Sequence, residues 1–544
     1  MVASMHPLAT DAGVDAMKQG GNAVDAAVAT GFALAVVRPQ AGNLGGGGFM
    51  LLRLANGTTR FIDFRETAPA AATPDMYLDR SGNIIPDAST AGYRAVAVPG
   101  SVAGLVHAQS KYGKLSLAKV MAPAIQLARD GFPLSDQDAH DFRDAGLAKF
   151  PEPYRIFQRN GDFYHSGDIF RQPELANTLE RIARNPSDFY RGSIAKELSA
   201  WIRDHGGLIT EQDLAGYKTK EREPVRGTYR GYEIISAPPP SSGGVTLIEI
   251  LNIVEGYDLR KLEAGSAEAI HLTTEAYRRA FFDRAELLGD PDFGRVPVAQ
   301  LIDKRYAAAW RESLDPDRAS QSSGLQRPTG VLEKLDEVAA AEPTHTTHYS
   351  VIDAEGSAVA VTTTLNDNFG AHVVAGNLGF LLNDEMDDFT VKRGTPNMFG
   401  LLQSEANAIS PGKRPLSAMA PTIVLDHGKL FMVLGSRGGP RIISSIANVL
   451  MGVVDYGLNI QQAVNAPRFH HQWMPDALRV EEHGFSPDTL KLLKAMGHNV
   501  ERGIVDNGKR EPYWSDVECV AVDQRTGTRL GASDHRGNGK AAGY

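Results

Sequence analysis

Thr346-Thr347-His348-Tyr349-Ser350-Val351-Ile352-Asp353 is followed, after a short break, by Thr362-Thr363-Thr364-Leu365-Asn366. Hydroxyl side chains on two neighbouring strands can supply a nucleophile and the group that orients it. A threonine becomes such a nucleophile when the chain is cut just before it, because its new α-amino group is then the nearest base. The register this pairing needs can be counted. Polar and apolar residues alternate from His348 to Asp353 and again from Ser357 to Leu365. Ala354-Glu355-Gly356 suits a three-residue hairpin loop with its glycine left-handed. Pairing Asp353 with Ser357 then sets Thr346 opposite Thr364. Threonine pairs are also ordinary sheet stabilisers, so this stretch alone is compatible with either role.

The surrounding elements decide whether such a cut has a place. Residues 314–345 contain Asp, Pro, Ser, Gln and Gly and then Ala339-Ala340-Ala341-Glu342-Pro343, which reads as an exposed linker. It ends where the hairpin begins, the position a self-cleaving precursor needs. Before it the pattern is mixed α/β and helix-dominated. Helical stretches are expected over 101–132, over 174–205 (split around Asn185-Pro186) and over 266–288, the last stopped by Gly289-Asp290-Pro291. Pro238-Pro239-Pro240-Ser241-Ser242-Gly243-Gly244 reads as a rigid turn. After 346 strands are expected at 348–353, 357–365, 373–383, 420–426 and 429–435. Helices follow near 439–455, 459–466 and 486–496, and a last strand at 517–523. Residues 390–416 form a long Gly/Pro/Asn loop of the kind that serves as a lid.

Composition limits the partners. The chain has 544 residues, 42% hydrophobic and 22% charged, as in soluble globular proteins. A net charge of −9, with no basic tract, argues against nucleic acid or an anionic membrane as the main partner. The sole cysteine, Cys519, sits among Val517, Val520 and Val522 and reads as a packed thiol. Residues 23–37 are too short and too interrupted to span a membrane, and read as a buried helix opened by Asn22. Neither His345-x-x-His348 nor His470-His471 has a convincing third metal ligand. The glycine clusters at 45–48 and 435–439 lack the lysine of a phosphate loop and the acidic residue of a dinucleotide fingerprint. No metal and no organic cofactor are therefore expected.

Other motifs extend end to end: Gly20-Gly21-Asn22-Ala23-Val24-Asp25, Asn43-Leu44-Gly45-Gly46-Gly47-Gly48, Asp63-Phe64-Arg65-Glu66, Met386-Asp387-Asp388-Phe389, Lys413-Arg414-Pro415-Leu416-Ser417, Gly438-Gly439 and Ala542-Gly543-Tyr544. In this order and spacing, with Thr346-Thr347-His348-Tyr349-Ser350, the chain resembles the γ-glutamyltransferase (γ-glutamyl transpeptidase) family of N-terminal-nucleophile hydrolases. The resemblance implies an α+β fold, a four-layer αββα sandwich built jointly by two autocleavage products. The cut is expected between His345 and Thr346, giving a large subunit 1–345 and a small catalytic subunit 346–544 that remain together as a heterodimer. It also implies a secretory leader ahead of Met1-Val2-Ala3-Ser4, where no basic-then-apolar segment is visible, and hence a periplasmic or secreted location.

The same resemblance assigns roles. Thr346 is the nucleophile, Thr364 orients it, and the backbone N–H groups of Gly438 and Gly439 form the oxyanion hole. Arg65 and Ser417 take the substrate α-carboxylate, and Asn366, Glu385 and Asp388 take its α-ammonium. That is an amino-acid recogniser, so the expected donor is a γ-glutamyl compound such as glutathione, with water, amino acids or peptides as acceptors. Two positions depart from the family. Ala418 replaces a second serine, and Phe399 stands in the lid where several bacterial members have tyrosine. Ala418 keeps open a glutaryl-cephalosporin acylase. A non-maturing binding homologue is the reading from a different class.

Overall fold

The computed structural model describes residues 1–42, 44–328, 345–392, 405–506, 509–511 and 514–544. Two antiparallel sheets lie at its centre. One has seven strands in the order Lys540–Ala542, Val2–Ser4, His345–Ile352, Ala358–Asn366, Gly47–Arg53, Thr59–Asp63, Lys220–Arg222. The other has six in the order Arg529–Ser533, Val517–Val522, Lys429–Ser436, Thr422–Asp426, Tyr232–Ser236, Val225–Tyr229.

The period-2 alternation of the central strands assigns their faces. Tyr349, Val351, Val359 and Val361 join one apolar core with the Ala23–Val37 helix. Ile352, Ala358 and Ala360 join another with the second sheet and the helices Gly243–Val254, Ala267–Leu287 and Arg441–Val454. Helix, sheet, sheet and helix therefore stack as expected from the resemblance. The Ala23–Val37 helix is buried nearly all round, which its apolar composition permits. It starts at a capping box in which Asn22 and Asp25 bond each other's backbone N–H groups. Among the described residues no helix is long and apolar enough to cross a membrane.

The hairpin has the counted register. Thr364 pairs with Thr346, Asp353 N–H donates to the Ser357 carbonyl at 3.0 Å, and Gly356 is left-handed. Two expectations are corrected. Residues 373–383 are not a strand. Positive φ at Gly376 and Gly379 and a 3-10 turn at Gly376–Leu378 break the extended run, leaving single bridges such as Val374 to Leu381. The strand at Val517–Val522 is not the last, because Arg529–Ser533 and Lys540–Ala542 follow and form sheet edges. The described part of the expected linker, 314–328, is largely exposed and is tethered at a few points. Arg327 pairs with Asp283 and with Glu286 (2.6 Å) and stacks over Phe282, and Ala319 N–H donates to the Met496 carbonyl. Buried Asp283 and half-buried Glu286, both on the Ala267–Leu287 helix, draw that arginine in. The rest of the linker, 329–344, lies outside the described residues, as does Phe399.

Candidate active site

Thr346 begins at the end of its strand and is buried. Directly paired residues on neighbouring strands point to one face, so Thr346, Thr364 and Gly47 line up on the side facing the second sheet. The Thr364 hydroxyl oxygen accepts from the Asn366 N–H at 2.9 Å. A β-bulge separates these two residues, and Asn366 is left-handed at φ 84, a conformation asparagine tolerates better than most. The bulge turns Asn366 toward Asp384, whose carbonyl and carboxylate accept from Nδ2 at 3.0 and 3.2 Å. Asn366 Oδ1 is buried with no hydrogen-bond partner among the described residues.

Below Thr346 the two sheets meet at His348. A Cβ on Gly435 would stand 2.3 Å from the His348 ring, so glycine is what allows this approach. The ring lies in a directional chain. Ser350 Oγ donates to the Glu518 carbonyl at 3.0 Å, which leaves Ser350 to accept from His348 Nε2 at 3.0 Å. Nδ1 then accepts from Thr362 Oγ1 at 2.8 Å. Burial pushes the imidazole down to about 3, so the ring stays neutral with its proton on Nε2.

Gly435 belongs to the Lys429–Ser436 strand, which ends at Arg437-Gly438-Gly439. Gly438 and Gly439 are left-handed in succession, at φ 118 and 59, before the Arg441–Val454 helix. Consecutive backbone N–H groups of this kind form a small anion-binding concavity.

The residues expected to recognise an amino-acid head group gather around Arg65, which is fully buried. Its Nη1 pairs with Glu385 and approaches Glu66 Oε2 at 3.5 Å, and its Nη2 pairs with Asp388. Nη2 also donates to the Leu416 carbonyl at 3.2 Å, and Nε to the Pro415 carbonyl at 3.3 Å. The expected cation and its two expected anions are thus in direct contact with one another. Asn383 Oδ1 accepts from the Glu385 N–H at 3.0 Å and fixes the 3-10 turn Glu385–Asp388. Glu385 Oε2 is buried without a hydrogen-bond partner among the described residues. Ser417, next along from Leu416, is held by the Pro-rich turn. Its N–H donates to the Pro240 carbonyl at 2.9 Å, and its own carbonyl accepts from Ser242 N–H at 2.6 Å. Ala418 beside it is buried.

Glu66 and Asp384 lie against the expected site residues and were not singled out by sequence, and His348 was weighed only as a metal ligand. Burial, and then the neighbouring Glu385, push the Glu66 carboxyl well above the usual carboxylate range. Its carboxyl lies where a Cβ on Gly47 would be 2.4 Å away, on the Thr346 face of the sheet. A charged pair, Arg65-Glu66, immediately after an apolar strand was the available signal. Elsewhere, His271, Glu275 and His498 offer ligand atoms within 4.8 Å of one another. Those atoms are already engaged. His271 Nδ1 bonds His498 Nε2 at 2.8 Å, and Glu275 is bound by Arg278 at 3.1 Å and Arg279 at 2.7 Å.

A model of the gamma-glutamyltranspeptidase family matches residues 9–544. The glutathione hydrolase proenzyme of Escherichia coli (strain K12) is 52% identical over 504 residues, covering 92% of this chain and 85% of that protein. The crystal structure of Helicobacter pylori gamma-glutamyltranspeptidase superposes with a TM-score of 0.60 at 45% identity, over 61% of this chain and 96% of that one. A cephalosporin acylase from Bacillus halodurans superposes with a TM-score of 0.86 at 27% identity, over 100% of this chain and 95% of that one.

Proposed function

The chain belongs to the gamma-glutamyltranspeptidase family, and we propose that it is a self-cleaving glutathione hydrolase and γ-glutamyltransferase with Thr346 as its nucleophile. The observation that carries the residue assignment is the Thr346–Thr364 pair at a strand end, directly after a linker and on the same sheet face as Glu66 beside Arg65. In the precursor, Thr346 Oγ attacks the His345 carbonyl. The peptide bond becomes an ester, and water hydrolyses that ester to free the Thr346 α-amine. This gives subunits 1–345 and 346–544, held as a heterodimer by the shared sheets. The word proenzyme in the names of the relatives supports such a cut. So does the Helicobacter chain, whose 61% share of this chain is close to 345 of 544 residues.

In the mature enzyme the α-amine, at an ordinary pKa of about 7.7–8, takes the Oγ proton near neutral pH. Oγ attacks the γ-carbonyl, and the Gly438 and Gly439 N–H groups receive the oxyanion. The amine passes its proton to the leaving amino group. Water or an acceptor amine then releases the γ-glutamyl group and restores Thr346. The substrate α-carboxylate goes to Arg65 and Ser417, and its α-ammonium to Glu385, Asp388 and Asn366. Phe399 is proposed to cover the site. Export to the periplasm or beyond is the location we propose, on the family resemblance.

A denaturing gel and N-terminal sequencing test this. The purified protein is expected as two bands, the shorter starting Thr-Thr-His-Tyr, and Thr346→Ala as one band of 58.6 kDa. Cleavage of the alanine variant would remove Thr346 from the mechanism. The likeness to a cephalosporin acylase and the methyl group at Ala418 support a second reading, a glutaryl acylase. Preference for a glutaryl over a γ-glutamyl anilide would select it.

A further inference from the structure

The Gly438-Gly439 turn has no side chains of its own to hold it, and two left-handed glycines can adopt many other conformations. Oxyanion donors work only if they are already aimed when charge develops. Something outside the turn must therefore hold it, and the segment Ser515-Asp516 is placed to do so. The ladder between the Lys429–Ser436 and Val517–Val522 strands ends with Ser436 opposite Val517. One residue further, Arg437 N–H donates to the Asp516 carbonyl at 3.1 Å, and Ser436 Oγ donates to the same oxygen at 2.9 Å. The Arg437 side chain returns to Asp516, with Nε donating to Oδ2 at 2.5 Å.

Ser515 holds the other side. It is a buried non-glycine residue at φ 62, a strained conformation that persists only where its surroundings fix it. Ser445, on the helix after the turn, donates to Ser515 Oγ at 3.0 Å, and Arg468 Nη1 donates to the Ser515 carbonyl at 3.3 Å. So fixed, Ser515 Oγ lies 2.7 Å from where a Cβ on Gly438 would be. The turn thus lies between Ser515 on one side and the Asp516–Arg437 pair on the other.

We propose that Ser515 and Asp516 are positioning residues for the reaction, clamping Arg437-Gly438-Gly439 so that the glycine N–H groups stay directed at the reacting carbonyl. This rests on the assignment of Gly438 and Gly439 given above. Neither residue touches substrate. Loosening the turn weakens an interaction made mainly with the oxyanion, so kcat falls while KM holds.

Kinetics of γ-glutamyl p-nitroanilide hydrolysis by mature enzyme test it. Asp516→Ala and Arg437→Ala are each expected to lower kcat by about 10- to 100-fold, short of the 10²–10³ seen on deleting a donor outright. KM should move less than about two-fold. Asp516→Asn, which keeps a hydrogen-bond acceptor, should recover part of the loss. The double variant Arg437→Ala/Asp516→Ala should be no slower than the worse single one, because both remove one contact. Full kcat in cleaved Asp516→Ala, or additive losses in the double variant, would overturn the proposal. If Asp516→Ala does not accumulate, Asp516→Asn and Arg437→Ala give the same reading. A cleaved wild type that hydrolyses the anilide keeps the functional assignment whatever these variants do, whereas one that does not would sink that assignment first.

Discussion

Arg65→Lys separates recognition of the substrate from chemistry. The guanidinium uses all three nitrogens: Nη1 on Glu385 and Glu66, Nη2 on Asp388 and the Leu416 carbonyl, and Nε on the Pro415 carbonyl. A lysine has one nitrogen and cannot span that fork. Its charge survives, but at least one charge-assisted bond to the substrate carboxylate goes. Such a bond contributes about 1.5–3 kcal/mol, which at about 1.4 kcal/mol per decade is roughly 10- to 150-fold in affinity. The carboxylate is bound alike in ground and transition states, so the loss belongs in KM with kcat nearly unchanged. Steady-state kinetics on γ-glutamyl and glutaryl anilides read it out. Both donors carry the carboxylate, so KM should rise for both by a similar factor. Asp388→Asn should raise KM for the γ-glutamyl compound alone, because only that compound has an ammonium. A fall in kcat at constant KM for Arg65→Lys would refute the assignment. So would a KM effect confined to the γ-glutamyl donor.

Two further outcomes follow from buried groups. Burial pushes His348 down to about 3, against 6.5 for an exposed histidine, so the unfolded chain binds more protons between those values. Stability is then fully present above pH 6.5 and is lost as pH falls toward 3; between pH 7.5 and 5 the loss from this residue is about 2 kcal/mol. His471 (about 4) and His498 (about 3) add in the same direction, whereas carboxyls raised by burial, among them Glu66 and Glu518, act in the opposite one. The His348 contribution is therefore read by difference: between pH 7.5 and 5 the melting point of wild type should fall by more than that of His348→Gln, and an equal change in both contradicts this. Burial also pushes the Cys519 thiol far up, so iodoacetamide at pH 8 should leave the native protein unlabelled and active. Mass-spectrometric labelling of folded enzyme at Cys519 would count against the packed-thiol reading.

The hairpin that carries the proposed nucleophile was legible because its information is local. Alternation fixes the faces, Gly356 fixes the loop, and the register follows by counting, so Thr346 opposite Thr364 needed no tertiary knowledge. The helix Arg441–Val454 was legible for the same reason, from a glycine turn followed by an apolar run. Residues 373–383 misled because Val373, Val374, Phe380, Leu381 and Leu382 suit a strand while the backbone between them is not extended. The Lys540–Ala542 strand was missed because its partner, Val2–Ser4, stands at the opposite end of the chain and three residues carry little periodicity. The site residues show the same division. Arg65, Glu385 and Asp388 were named together through the family resemblance, but no motif spacing reveals that they bind one another. Glu66 and Asp516 depend on packing against Gly47 and Arg437, contacts made only once distant segments meet.

That mutual contact bears on which donor the site prefers. Without substrate, Arg65 is the counterion of Glu385 and Asp388, and Glu66, whose carboxyl burial and Glu385 push upward, lies beside the same guanidinium. A γ-glutamyl head group can replace both halves of this arrangement together. Its carboxylate takes the place of the two acids at Arg65, and its ammonium takes the place of Arg65 at the two acids. A glutaryl group brings only the carboxylate. Drawing Arg65 toward that carboxylate would leave Glu385 and Asp388 facing each other, buried and short of a counterion, which costs far more than the missing serine hydroxyl at Ala418 could return. The acid pair thus argues for a γ-glutamyl donor even though the carboxylate side of the site has lost a hydrogen-bond donor. Replacing both acids by their amides should reverse the order of the two anilides, and retention of the γ-glutamyl preference in that double variant would show that the ammonium is read elsewhere.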